Sequence, residues 1–276
     1  MSPRRSAPPA AARQVTPIRN VADGRSVKIA MLIYGEPGIG KTRNFAGRCG
    51  KLGRTLILRP PVDHTDSITD SKNVDEWVIR GWSEMDDALI YCRTEGAAIY
   101  DWVWLDSLSL MSDQGLDDIW EDLIARKPDR ANFGLDKGEY GINMQRMSRW
   151  VRHMVGCPEW HFGMTAHVGL RESTEDAADP QEKAMPYIQG KNMPPKMCGY
   201  MNVVGYYHWT ELRGDRKVRV LDLNQTDNFY AKDQFDAIDS GRIINPDISK
   251  YVAGIKSGAR STDNQRPVKR RRVTKR

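Results

Sequence analysis

The stretch Ile29-Ala30-Met31-Leu32-Ile33-Tyr34, running directly into Gly35-Glu36-Pro37-Gly38-Ile39-Gly40-Lys41-Thr42, decides the fold. An unbroken apolar run of this length reads as a strand buried on both faces of a parallel sheet. The residues after it spell G-x-x-x-x-G-K-T, a P-loop. The glycines let backbone N–H groups turn inward around phosphates, Lys41 reaches the β- and γ-phosphates, and the Thr42 hydroxyl sits on Mg²⁺. Arg43 to Leu52 is compatible with a helix, so the anion rests on a helix N-terminus. Strand, glycine turn and helix arrive in the order a nucleotide site needs, and ATP with Mg²⁺ is the expected ligand. Its expected contacts are Gly35, Glu36, Pro37, Gly38, Ile39, Gly40, Lys41, Thr42 and Arg43.

A chain of 276 residues can bury one substantial core and suits one α/β domain with extensions. Its formal net charge of +6 is unevenly spread: residues 257–276 carry +7 and residues 1–25 carry +4, which leaves −5 on residues 26–256. Both ends are too poor in large apolar groups to pack. The expected organisation is therefore a disordered N-terminal arm over 1–25, a P-loop ATPase domain over 26–256 and a disordered basic tail over 257–276. Attraction to a polyanion then belongs to the ends or to a local patch. Cys49, Cys92, Cys157 and Cys198 are far apart, with no C-x-x-C pair and no histidine at zinc-ligand spacing, which points to neither a disulfide framework nor a zinc site. No run of about 18 apolar residues and no signal peptide is present. A soluble protein of a reducing cytoplasm, without a membrane partner, is expected.

Along the domain, Arg54-Thr55-Leu56-Ile57-Leu58-Arg59 reads as a short strand stopped by Pro60-Pro61, and Ser83 to Glu95 as a helix. Ile99 to Asp106 reads as an aromatic-rich strand ending in a carboxylate. Helices are expected at about 107–126 and 139–155, the second with Ile142, Met144, Met147, Trp150, Val151 and Met154 at helical spacing and facing the core. Trp160 to Ala166 is the next strand, and the polar segment from about 168 to 185 is expected to be a mobile loop. Val203 to Leu212 and Lys217 to Leu223, joined by Arg213-Gly214-Asp215-Arg216, read as a hairpin. Alternating strands and helices followed by a hairpin predict a mostly parallel sheet with an antiparallel edge.

Asp106 closes an apolar strand some way after Lys41, where a second acidic motif belongs if Mg²⁺ is held between P-loop and sheet. The metal ligands are then Thr42 and Asp106. The alternative is an Asp capping the helix that starts near Ser107. His167 follows a strand and faces the ligand crevice if that strand joins an open α/β sheet; it then senses the γ-phosphate or is an ordinary polar residue. For the carboxylate that orients the attacking water, Asp63 is the choice, with Glu36 and Glu84 as rivals.

The P-loop, Leu105-Asp106-Ser107-Leu108-Ser109, the Tyr140-Gly141 helix, Thr165-Ala166-His167, and Pro186 followed by Gln189-Gly190-Lys191 resemble the phage RecA-like nucleotide-binding proteins. That family includes the Sak-type single-strand annealing proteins. The resemblance spans roughly residues 26–237 and implies a RecA-like P-loop core that binds single-stranded DNA, assembles as a homo-oligomer and supports annealing or recombination of phage DNA in the host cytoplasm, beside a single-strand-binding protein. It also implies that a Lys-x-Arg element reaches the neighbouring subunit's ATP. Lys232 is in place, but Gln234 stands where the arginine belongs, and a neutral amide supplies no fixed charge to a phosphoryl-transfer transition state. Lys232 is otherwise an ordinary surface lysine, and hydrolysis is expected to be slow.

Lys269, Arg270, Arg271, Arg272, Lys275 and Arg276 can contact phosphates without reading sequence, since counterion release rewards charge rather than base identity. The tail can equally serve solubility. The leading expectation is an ATP-dependent single-stranded-DNA-binding protein. The alternatives are a nucleotide-dependent switch acting on a protein partner and a translocating motor; the motor needs the trans-acting charge that Gln234 lacks.

Overall fold

The computed structural model describes residues 27–172, 182–212 and 216–258. Eight strands form one continuous sheet in the order β10-β8-β7-β1-β5-β4-β2-β3. In chain order these are β1 (Ala30–Gly35), β2 (Thr55–Arg59), β3 (Val74–Val78), β4 (Trp102–Leu105), β5 (His161–Glu172), β7 (Val203–Leu212), β8 (Arg216–Asp222) and β10 (Arg242–Ile244). Two further strands, β6 (Glu182–Pro186) and β9 (Lys232–Asp233), pair antiparallel with β5 and β7. From β7 through β3 every neighbour in the main order is parallel, whereas β8 and β10 are antiparallel. Of the expected class, an α/β RecA-like P-loop core, the α/β architecture with a mostly parallel sheet and an antiparallel C-terminal hairpin is the one observed. The hairpin is β7–β8; its turn residues 213–215 and the ends expected to be disordered, 1–25 and 257–276, lie outside the described residues, except that Ser257 and Gly258 close the helix Ile248–Ser257.

Both faces of the sheet are covered, which is why β1 reads as an unbroken apolar run. Its alternate residues Ala30, Leu32 and Tyr34 enter one core, beneath α2 (Trp82–Arg93), α3 (Leu108–Arg126), α4 (Lys137–Val155) and α5 (Met193–Tyr200). Met31 and Ile33 enter the other, beneath the P-loop helix and α6 (Ile248–Ser257). The P-loop helix starts as a wide π-turn over Thr42–Ala46 and closes as α1 (Gly47–Cys49). As expected of α4, Met147, Trp150, Val151 and Met154 are buried; Ile142, by contrast, is exposed. The four cysteines are free and buried. No helix among the described residues is long and apolar enough to cross a membrane.

Of the segment 168–185, expected to be a mobile loop, residues 173–181 lie outside the described residues, and the two flanks are strand. β5 runs on to Glu172 and pairs with β6 from Val168↔Pro186 to Glu172↔Glu182. This ribbon leaves the main sheet, so its sequence lacks the apolar pattern of a buried strand. Backbone pairing defines it, and Leu170 is left 68% exposed. β3 was also illegible, since a half-buried edge strand carries charges freely.

Two glycines give opposite expectations for alanine. A Cβ on Gly163, in β5 at the sheet centre, would lie 2.4 Å from the rigid ring of Trp104, whereas one on Gly141, inside α4, would meet nothing within 4 Å. Gly163→Ala is expected to lower stability by about 1–3 kcal/mol through overpacking. Gly141→Ala is expected to raise it by up to about 1 kcal/mol through helix propensity. Urea unfolding of the two variants beside the parent chain checks both signs.

Candidate functional site

The P-loop leaves the carboxyl end of β1 and turns under tight backbone constraints. Gly38 and Gly40 take positive φ values of 75° and 98°, and a Cβ on Gly35 would stand 2.0 Å from the carbonyl oxygen of Tyr207 on β7. No other residue type meets both demands. The Tyr207 hydroxyl accepts a 2.8 Å hydrogen bond from the Asn44 side chain, which ties the start of the P-loop helix to the same strand.

β5 lies between β1 and β4, with Gly35 opposite His167 and Leu105 opposite Met164. This order carries Asp106, one residue past β4, to the P-loop. Asp106 is buried, and its carboxylate accepts a hydrogen bond from the hydroxyl of Thr165 on β5, while the Thr42 side chain is near enough to hold its pKa down. The cap of α3 is Ser107 instead, whose hydroxyl accepts from the Leu110 N–H at 3.4 Å. The capping alternative for Asp106 is thereby excluded.

Lys41 is buried, and its ammonium donates to the carbonyl oxygens of Gly35 at 3.0 Å and Glu36 at 2.8 Å. Burial drives its pKa down to about 8, against the charges of Asp106, Asp63 and Glu36, which hold it up. Asp63, in the turn after β2, joins the same cluster: its carboxylate accepts from the His64 N–H at 3.1 Å, and the Ser107 side chain and the charge of Lys41 hold its pKa down. Burial raises the pKa of Asp63, and burial followed by the charge of Asp63 raises that of Asp106. His167 feels both Lys41 and Asp106, and burial lowers its pKa. Its backbone N–H donates to the Ser109 hydroxyl at 2.9 Å, which donates at 2.6 Å to the Tyr187 carbonyl. Thus the first turn of α3, β5 and the segment just after β6 are locked together beside the nucleotide loop.

The donor set fits Mg²⁺. It offers hard oxygens from Thr42, Asp106 and Asp63, and the charge of Asp63 raises the cost of ionising the buried Asp106 in a site where a divalent cation would relieve it. Among the described residues no three His, Cys, Asp or Glu side chains converge as a metal cage. A sparse protein contribution suits an ion that keeps its waters and takes phosphate oxygens.

Other sequence-selected residues are placed elsewhere. Arg43 points away from the loop, donating to the Ser67 carbonyl and pairing with Asp70 at 2.9 Å. Glu84 is taken up at the head of α2 by the Arg80 N–H and side chain. Lys232 and Gln234 lie beside the start of β7, away from the P-loop of their own chain; the Lys232 ammonium donates to the Cys198 carbonyl at 3.2 Å and Gln234 accepts from Asn202 at 3.1 Å. Lys269, Arg270, Arg271, Arg272, Lys275 and Arg276 lie outside the described residues. Sequence reasoning passed over Thr165, Ser107 and Ser109 as site groups. A lone threonine inside an otherwise apolar strand was the available signal for the first.

A family profile described as "AAA domain" matches residues 27–235, most of the chain, and the chain belongs to that family. No curated protein sequence matches it. Among solved structures, the RadB recombinase is similar at 11% identity and a TM-score of 0.40, over 72% of this chain and 82% of that one. The flagellar accessory protein FlaH from Methanocaldococcus jannaschii is similar at 8% identity and a TM-score of 0.36, over 70% and 76%.

Because the lysine meant for phosphate titrates near pH 8, triphosphate affinity should be full below that pH and fall as pH rises through it. Calorimetric titrations of ATP-Mg²⁺ between pH 7 and 9.5 measure this. Lys41→Ala should bind weakly with a flat profile; an equally steep profile in that variant would assign the titration to another group.

Proposed function

We propose that this member of the AAA domain family binds ATP-Mg²⁺ at the P-loop, hydrolyses it slowly, and couples the nucleotide to binding of single-stranded DNA in annealing or recombination of phage DNA. The observation that carries the nucleotide half is the convergence of Lys41, Thr42, Asp106 and Asp63 at one end of the sheet, from segments far apart in sequence. Lys41 holds the β- and γ-phosphates and Thr42 with Asp106 holds the metal. Mg²⁺, when bound, supplies positive charge to the phosphate oxygens. Asp63 orients the attacking water through its carboxylate. His167, opposite Gly35, passes a change at the γ-phosphate to Ser109 and the β5–β6 ribbon.

The DNA half rests on the family resemblance and on the +4 and +7 carried by residues 1–25 and 257–276 around an acidic body. A homo-oligomer in the host cytoplasm, working beside a single-strand-binding protein, completes the reading. Slow turnover follows from Gln234, which gives a neighbouring subunit no second cation beside Lys232.

A filter-binding titration of the full chain with an oligothymidylate, with and without ATP-Mg²⁺, tests the coupling. ATP should tighten binding, or the oligonucleotide should raise turnover, and Lys41→Ala should abolish the linkage. Linkage in neither direction sinks the proposal; if ATP instead changes oligomeric state or the affinity of a protein partner, the switch reading takes its place. Deleting residues 257–276 should weaken binding and reduce its salt slope by about 0.7 for each phosphate the tail neutralises.

A further inference from the structure

Cations on the acidic body gather at the end of the sheet where its parallel strands begin. A groove of about 470 Å³ follows the outer side of α1, lined by Arg43, Arg48, Gly50, Lys51, Lys72 and Asn73 among others. Asp70 neutralises Arg43 at 2.9 Å, and Asp247 lies 3.9 Å from Arg48. Lys51 and Lys72 are exposed and form no ion pair with a carboxylate among the described residues. Both line the groove, and their backbones approach there, since a Cβ on Gly50, next to Lys51, would fall 2.3 Å from the Lys72 carbonyl oxygen. The Thr55 N–H at the start of β2 donates to the Asn73 carbonyl at 2.9 Å, and the Asn73 side chain donates to the Gly50 carbonyl at 3.3 Å, which places the backbone next to each lysine at the strand-start end.

Other charges accumulate there. Lys28, just before β1, and Lys256, in the last turn of α6, both act on His161 at the start of β5, adding to burial in lowering its pKa to about 4. Asp75 and Asp101 at the same end are engaged by Arg54, through its side chain at 3.0 Å and its N–H at 3.0 Å. The described chain also begins and ends here, at Val27 and Gly258, with the basic arm and tail continuing from those points. Like charges collected on one surface repel until a polyanion neutralises them. A flexible strand can follow a groove of this size, whereas a duplex presents its phosphates on a stiff cylinder.

We propose that the groove beside α1, with Lys51 and Lys72 as its phosphate contacts, is the body's docking surface for the backbone of a single-stranded nucleic acid. It runs from Arg43, next to the P-loop, to the opposite end of the sheet, so that the strand passes along the outside of the helix that carries the nucleotide loop. This assignment rests on the single-stranded-DNA reading above and gives it a place on the folded domain.

The test is the Lys51→Gln/Lys72→Gln double variant of the full chain, titrated with labelled oligothymidylate across a salt series. Both side chains are exposed and form no ion pair among the described residues, so ATP affinity and urea midpoint should match the parent. The slope of log K against log salt should lessen by about 1.4, two phosphates at about 0.7 each, with weaker binding at every salt concentration. Lys137→Gln, at the start of α4 on the other face of the sheet, should leave the slope unchanged. A double variant with the parent's slope and affinity overturns the groove assignment while leaving ATP-linked DNA binding intact. Absence of oligothymidylate binding by the parent chain removes both.

Discussion

A carboxylate cut off from water governs the nucleotide end of this protein. Burying an ionised Asp without partners costs several kcal/mol or more, and Asp106 is buried. Its partners come from three places: Thr165 on β5, Thr42 on the P-loop, and the nearby ammonium of Lys41. They meet only because β5 is inserted between β1 and β4 in a register that sets Gly35 against His167 and Leu105 against Met164. Moving β5 by one residue would turn Thr165 to the other face of the sheet and leave Asp106 short of a donor. Sheet register and site geometry are therefore one constraint.

The charges left unbalanced by that arrangement give the site its chemistry. Asp63 stands close enough to raise the pKa of Asp106, and both pull on a lysine whose own pKa burial has lowered. An ensemble of two acids, a hydroxyl and a reluctant ammonium is poorly satisfied by itself. It is better satisfied by a divalent cation and a polyphosphate, which bring opposite charges to the two sides of the same cluster.

The sheet also separates two electrostatic environments. At the carboxyl ends of the parallel strands the buried Asp106 and the half-buried Asp63 converge on Lys41. At the amino ends Lys28, Lys51, Lys72 and Lys256 collect, and the chain departs toward its two basic extensions. The P-loop helix and the groove beside it join these ends. Covering both faces with helices makes this polarity possible, since only the two rims of the sheet remain for charged groups.

Much of this was written in consecutive residues. The strand Ile29 to Tyr34 declared itself because burial on both faces demands an unbroken apolar run, and the P-loop because its glycines, Lys41 and Thr42 act within one turn of chain. Asp106 was legible as an acid ending an apolar strand, and α4 through its helical spacing. The β5–β6 ribbon and β3 were illegible, because exposed strands are defined by backbone pairing and leave no apolar pattern. The gathering of Asp63, Thr165 and Ser107 around Asp106, and of Lys51 beside Lys72, was decided by tertiary structure alone. Strand order brings those residues together across long stretches of chain, and short-range pattern carries no record of which strand will lie beside which.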